Sequence, residues 1–440
     1  MATNFFFKAP NFPDIKKIKN TKKSYVSFYN HGGEYLDLTS GRSTLMCLGY
    51  SNKMIINEMT KQLKKFPHVD CNVYENSLAE KVAKELIGFN PKGLNKVYFC
   101  GSSGSDAIEA AMKLSYQIHL SKGYKNKNIY ISRKNSYHGA TLGAMSVSNF
   151  YKHKSYRNIL PKNNIIIPEH NFFEKCNKSI RGCNCGKLHK EENLDQYTNR
   201  SVSFLEKVLK KNTNRVCAFI GSTQLSVGQG HSQPTDKYWS RISDLCKKYD
   251  VHLILDEIYS GCGRSGEYFN FNNYNVSPDF VCIGKNFTAG YAPLSAVITK
   301  NIYQKIIKEN IGEFYHAHTF QGYAVGLAAA YGSMKYIKKY KILEKIKKDS
   351  NFIIKNLRQN LSKSKNFKTI RGIGLHLSIE YNFKDNIKFA NYFRNAMFKN
   401  KIIINSMPKF INLSPTYILT KKEIAYVIKT ISNYFLNYKN

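Results

Sequence analysis

The sequence predicts an α/β protein, a large domain with a smaller α+β domain attached. Three observations carry that expectation. Residues 251–300 hold three short apolar runs, Val251 to Leu255, Phe280 to Ile283 and Leu294 to Thr299, each bounded by Gly, Pro or Asp and short enough to be a buried strand. Further runs of this kind alternate with amphipathic helical patterns upstream of them, and beyond residue 340 helix and strand signals alternate again at smaller scale. A chain of 440 residues is also long enough to bury a sizeable core.

In chain order, residues 1–24 read as an arm with little core of its own. GGEYLDLTSGRSTLMCLGYSN reads as a strand, a turn and a glycine-rich loop, and Lys53 to Lys65 carries Ile55, Ile56, Met59 and Leu63 at helical spacing. A second amphipathic helix covers 77–88. Val97 to Cys100 is a strand that runs into a Gly/Ser loop, with a helix of strong formers starting near Ser105 or Asp106. Asn128 to Ser132 and Val216 to Gly221 are strands, 168–200 is irregular and polar, and Lys237 to Tyr249 is a helix. His316 to Thr319 forms a polar turn into an Ala/Gly-rich helix. The C-terminal hundred residues give a helix to Leu361, strands between Thr369 and Ile379, a helix over Ile387 to Phe398, a strand at Ile402 to Ile404 and a last helix from Lys422.

Composition narrows the class. Hydrophobic content is 42%, and no apolar run is long enough to span a bilayer. The N-terminus lacks the pattern of a secretory signal, so a cytoplasmic location is expected. Ten scattered cysteines do not make a disulfide framework, and Cys47, Cys100, Cys217 and Cys282 sit in apolar runs where reduced core thiols belong. The net charge of +37 raises a nucleic-acid partner. Its lysines are spread beside asparagines without aromatic interleaving, which reads instead as codon bias on a solvated surface.

The chemistry concentrates at two charges. Asp256 closes one apolar run and Lys285 follows the next, 29 residues later. On neighbouring strands they would reach the same carboxyl edge, where α/β sheets bind ligands. A desolvated lysine there becomes a nucleophile, and an acid keeps a ring nitrogen protonated; together they describe a pyridoxal phosphate site. Alone, either residue reads as a helix cap or a loop lysine. The Gly/Ser loop at Gly101 to Ser105 brings backbone close to a ligand at a helix start, which suits a phosphate, although a plain β–α turn has the same signature. Tyr137, with Gly139 letting the chain turn, could set a ring face against a flat cofactor. Cys176, Cys183, Cys185 and His189 could bind zinc, but their spacing matches no usual zinc pattern, and a reduced insertion loop is the alternative. No metal is expected.

Over residues 25–435 the chain resembles the class III aminotransferases, the ω-aminotransferase family of fold-type I pyridoxal phosphate enzymes. The motifs are LILDEIYSGCGRSG, DFVCIGKNFTAGYAPLSAVI, SSGSDAIEAAMK, SYHGATLGAMS and HAHTFQGY. The resemblance implies a mostly parallel seven-stranded sheet in the large domain and divides the chain into 1–60 (arm and part of the small domain), 61–335 (cofactor-binding domain) and 336–440 (small domain). It implies that Lys285 is the Schiff-base residue and proton carrier, that Asp256 meets the pyridine nitrogen with Ile258 behind the ring, and that Ser103, Gly104 and Ser105 hold the phosphate. Tyr137 would stack on the ring, with His138 nearby. Thr319 would reach the phosphate of the other subunit, which implies a homodimer with shared sites.

Two departures concern substrate choice. Where the family carries a glutamate at the end of a strand, this chain has Ser222; where it carries the arginine that binds a substrate carboxylate, this chain has Asn412. A lone survivor of that pair would be a buried unpaired charge, so losing both is physically consistent. Lys409 is the nearest remaining cation, and Tyr259 is a further pocket candidate. The expected activity is transfer of an amino group between an amine or amino acid and a keto acid or aldehyde. Decarboxylation, racemisation or lyase chemistry on the same cofactor is the alternative, and a nucleic-acid-binding protein on an enzyme scaffold the remote one.

Overall fold

The computed structural model describes residues 16–168, 194–225, 227–235 and 237–439. The chain opens with an antiparallel meander of β1 (Ile18–Lys22), β2 (Tyr25–Phe28) and β3 (His31–Asp37). Helices α1 (Lys53–Lys65) and α2 (Ser77–Ile87) come next, each started by an asparagine, Asn52 or Asn76, whose side-chain oxygen accepts N–H groups of the first turn. The large domain then runs through β4 (Lys96–Phe99), α3 (Gly104–Ser121), β5 (Ile129–Arg133), α4 (Leu142–Ser146), β6 (Asn164–Ile167), α5 (Leu194–Lys211), β7 (Val216–Ser222), α6 (Tyr238–Lys248), β8 (His252–Asp256), β9 (Phe280–Ile283), β10 (Ala296–Thr299), α7 (Asn301–Asn310) and α8 (Ala324–Lys339). Beyond it come α9 (Ile342–Leu361), β11 (Phe367–Ile373), β12 (His376–Tyr381), α10 (Asn386–Lys399), β13 (Ile402–Ile403), β14 (Asn405–Met407), β15 (Phe410–Leu413) and α11 (Lys421–Leu436).

Seven strands form one sheet in the order β4-β10-β9-β8-β7-β5-β6, and only β10 runs antiparallel to its neighbours. Every residue of β8 and β9 is buried. Covered on both faces, such strands read as continuous apolar runs rather than alternating ones, which is why they are visible in the sequence. Register aligns the strand ends: Ser222 pairs with Asp256, and Asp256 with Cys282, so β7, β8 and β9 end side by side. Lys285 comes three residues after Cys282. The smaller sheet is antiparallel, β11-β12-β15-β14, and sets Ser378 opposite Asn412. A parallel pair, β13 with β3, ties the last quarter of the chain to the N-terminal meander. Small residues let α8 lie against α1: a Cβ on Gly332 would sit 2.9 Å from the Cα of Ile55.

Three expectations need correction. The helix at the Gly/Ser loop starts at Gly104 rather than at Ser105 or Asp106, because the carboxylate of Asp106 accepts the N–H of Ser103 at 3.0 Å and pulls the start back by a turn position. The stretch 168–200 is not irregular throughout: α5 begins at Leu194, and its buried Thr198, Val202, Leu205 and Leu209 keep helical spacing behind a polar sequence. Residues 18–28 are strands rather than plain arm, although β1 is largely exposed.

Candidate active site

A cavity of about 490 Å³ opens at the carboxyl edge of the large sheet. Its wall is built from the turn from β4 into α3 (Ser102 to Ser105), the turn after β5 (Asn135 to Gly139), the end of β7 and its loop (Ser222, Gln224, Leu225, Gln229), the ends of β8 and β9 (Asp256, Ile258, Tyr259, Lys285) and the loop into β10 (Thr288, Gly290 to Leu294), with Leu45. Thus Lys285, Asp256, Ser103, Gly104, Ser105, Tyr137, His138, Ile258, Tyr259 and Ser222 share one space, drawn from more than 180 residues of sequence. Among the described lining residues the only formal charges are Asp256 and Lys285.

Asp256 is buried, and both carboxylate oxygens are engaged: Oδ2 lies 2.7 Å from Nδ1 of His138, and Oδ1 accepts the N–H of Ile258 at 3.0 Å. His138 is in turn held by its backbone, whose N–H donates to the Ser148 hydroxyl at 2.8 Å. These bonds aim the acid along the sheet edge. Lys285 starts a turn of 3-10 helix with a left-handed backbone (φ 43°), a conformation that costs a non-glycine residue and that structures retain where a side chain must be aimed. Burial pushes its pKa below the ordinary lysine value, with the nearby Asp256 carboxylate pulling the other way. Its Nζ lies 5.1 Å from the centroid of the Tyr259 ring, within cation–π range.

At the start of α3, Gly104 is packed so closely that a Cβ would fall 2.6 Å from Cδ1 and 2.8 Å from Cγ2 of Ile258. Its backbone therefore faces the cavity without a side chain in the way, and the first-turn N–H groups of an eighteen-residue helix supply positive potential. Tyr137 keeps 44% of its surface exposed at the rim, edge-on to Phe150. These features fit a flat anionic cofactor: an anion cradle at α3, a buried acid, an aromatic rim and an amine, all lining one space.

Tyr259 leads away from the cavity into a column whose His376, His231 and Ser378 sequence reasoning missed. Its ring stacks on His376 at 4.2 Å, and His376 stacks on His231 at 5.0 Å. The Tyr259 hydroxyl is 2.8 Å from Nε2 of His231, whose Nδ1 is 2.9 Å from the Ser378 hydroxyl, which donates to Oδ1 of Asn412. Burial drives the pKa of His231 down to about 3 and holds His376 low as well, so both imidazoles are neutral. These residues come from four distant segments with no shared motif. Ser102, Asn135, Gln224, Gln229 and Tyr291 also line the cavity without having carried any signal.

Thr319 and Lys409 lie elsewhere. Thr319 is exposed, its carbonyl 2.6 Å from Nε2 of His68, and is not in the cavity wall of this chain. Lys409 occupies the exposed turn between β14 and β15 with φ 82°, and it too is absent from the wall. Asn412 is buried behind the wall. Cys47, Cys100, Cys217 and Cys282 are buried free thiols. Cys176, Cys183, Cys185 and His189 lie outside the described residues. No helix among the described residues is long and apolar enough to cross a membrane.

Comparison with known proteins gives the same picture. The sequence profile of the family described as aminotransferase class-III matches residues 11–435. The chain is 28% identical over 424 residues to adenosylmethionine-8-amino-7-oxononanoate aminotransferase of Helicobacter pylori, with 94% of this chain and 90% of that protein covered. It is 31% identical over 435 residues to gamma aminobutyrate transaminase 2 of Solanum lycopersicum, at 93% and 89% coverage. It is 27% identical to putrescine–pyruvate aminotransferase of Pseudomonas aeruginosa, at 95% and 92%. In fold it matches the ω-transaminase of Pseudomonas jessenii, with a TM-score of 0.85, 22% identity, and 96% and 92% of the two chains covered. The chain belongs to the class III aminotransferases, pyridoxal-phosphate-dependent enzymes that move an amino group between an amine or amino acid and a keto acid or aldehyde.

Proposed function

We propose that the cavity at the carboxyl edge is the transamination site and that Lys285 and Asp256 are its catalytic pair. The observation that carries this reading is the register of β8 and β9, which brings a hydrogen-bonded acid and a desolvated amine to one cavity. When bound, pyridoxal phosphate supplies an electron sink next to the substrate carbon. Lys285 would hold the cofactor at its aldehyde and would move a proton to and from the substrate carbon, work that the burial lowering its pKa favours. Asp256, oriented by His138, holds the ring-nitrogen proton in place. Ser103, Gly104 and Ser105 hold the phosphate at the start of α3. Ile258 and Tyr137, both in the cavity wall, would pack against the ring. Tyr259 and Ser222 form the substrate wall, backed by Asn412, while Lys409 stays in solvent.

The same reading makes the enzyme a homodimer with shared sites, in which the exposed Thr319 reaches the cofactor phosphate of the other subunit. It divides the chain into segments 1–60, 61–335 and 336–440, and places the enzyme in the cytoplasm, where buried free thiols persist. The test is the visible absorbance of the purified protein. Wild type shows a band from cofactor bonded to Lys285 that changes on adding an amine. An absent band, or an unchanged one in Lys285→Ala, would remove the assignment.

A further inference from the structure

Ser295, fully buried, immediately precedes β10 and makes three hydrogen bonds to the turn from β4 into α3. Its carbonyl accepts the N–H of Cys100 at 2.8 Å and its N–H donates to the carbonyl of Gly101 at 3.2 Å, so the contact between the two strands continues past the pair of Phe99 and Ala296. Its hydroxyl then donates to the carbonyl of Ser103 at 2.7 Å. One residue thus holds the turn on both sides of Ser102. The carbonyl of Ser103 also accepts the N–H groups of Asp106 and Ala107, and the N–H of Ser103 is taken by the Asp106 carboxylate. Ser103, Gly104 and Ser105 line the cavity, whereas Ser295 stands behind its wall. A Cβ built on Gly284, the residue before Lys285, would lie 3.6 Å from Cβ of Ser295 and 3.7 Å from Cα of Gly104, so Ser295 and the start of α3 both border the segment that carries the amine.

We propose that Ser295 is a positioning residue for the cofactor phosphate, its hydroxyl fixing the Ser103 carbonyl so that the start of α3 is set in its anion-binding shape before the phosphate arrives. The inference rests on the cofactor site assigned above and concerns one end of it. Gly101 and Gly104 flank Ser102 and Ser103, and glycines have the most backbone freedom to lose when a loop is ordered. A loop that must be ordered at the moment of binding subtracts that cost from affinity. Tied to β10 through Ser295, this turn has already met it on folding. Because Ser295 bonds to the turn and stands behind the wall that Asp256, Tyr137 and Lys285 line, its influence falls on the phosphate end of the ligand. Removing its hydroxyl leaves the Ser103 carbonyl with the Asp106 and Ala107 N–H groups, so no buried acceptor is orphaned and the fold is retained.

The test titrates the full-length apo protein, followed by absorbance, with pyridoxal phosphate and separately with pyridoxal, which has the same ring and aldehyde and no phosphate. Wild type is expected to bind pyridoxal phosphate the more tightly. Ser295→Ala is expected to raise the dissociation constant of pyridoxal phosphate about five-fold and that of pyridoxal by less than about two-fold, a split that general structural damage would not produce. Ser295→Cys fills the same space with a weak donor and is expected to shift the ratio of the two constants in the same direction, so the outcome does not depend on one variant folding. A ratio unchanged from wild type in either variant, whether both constants stay or both rise together, would overturn the role of Ser295 and leave the site in place. If wild type binds pyridoxal as tightly as pyridoxal phosphate, or if Lys285→Ala shows the wild-type absorbance band, the site assignment itself has failed and the role of Ser295 with it.

Discussion

At the scale of single residues, the proposed site rests on two side chains that the strand register brings together. Asp256 is a buried carboxylate whose two oxygens are taken by His138 and the Ile258 N–H. Asp256→Asn preserves the shape, but its amide carries no negative charge to hold a proton on a ring nitrogen. We expect kcat/KM to fall by about 10²–10⁴ with little change in melting temperature, measured by single-turnover kinetics and a thermal melt. Lys285→Ala is expected to remove turnover altogether and abolish the visible band, while thermal unfolding stays cooperative. The left-handed backbone of Lys285 makes this position intolerant in a second way. Most residues adopt φ 43° only at a cost, so the sequence spends stability to aim this amine.

At the scale of elements, the anion cradle depends on the distance between α3 and β8. Ile258 comes just after β8 and packs on Gly104, and the missing side chain there lets the two approach. Gly104→Ala places a Cβ 2.6 to 3.0 Å from three atoms of Ile258, so the isoleucine must turn or the helix start must shift. The expected outcome is a rise in the cofactor dissociation constant of about ten-fold or more, read by absorbance titration of the apo protein, with folding retained. The start of α3 is held separately, by Asp106 reaching back to accept the N–H of Ser103.

At the scale of the whole molecule, burial sets the response to pH. The core holds neutral histidines at sites far from each other: His119 stacks on His252 at 4.1 Å under the large sheet, and His231 stacks on His376 at the junction with the smaller one. Burial lowers the pKa of all four, His119 to about 4 and His231 to about 3. In the unfolded chain these groups take up protons near pH 6.5, whereas the folded protein refuses them until lower pH. Stability from the neutral forms is therefore intact above pH 6.5 and is lost as pH falls from there toward 4. Chemical denaturation should show stability dropping by about 2 kcal/mol or more between pH 7 and pH 5, and His119→Gln should flatten part of that slope. Assembly is the second property at this scale: Thr319 stands on the surface, outside this chain's own cavity. Light scattering should give twice the chain mass of 50.6 kDa, and a monomer with full activity would refute the shared site.

By itself the sequence determined the α/β class and the cofactor, and it singled out Asp256 and Lys285 as the candidate charged partners. Strands buried on both faces, such as β8 and β9, must be continuously apolar, and a charge closing such a run has few places to go but the sheet edge. The helices of α1, α9 and α11 were legible for the matching reason, since a half-buried helix repeats its apolar residues every turn. What only the tertiary structure shows is what surrounds Tyr259. The column of Tyr259, His376, His231, Ser378 and Asn412 joins segments more than 150 residues apart through stacking and hydrogen bonds that leave no periodicity or spacing.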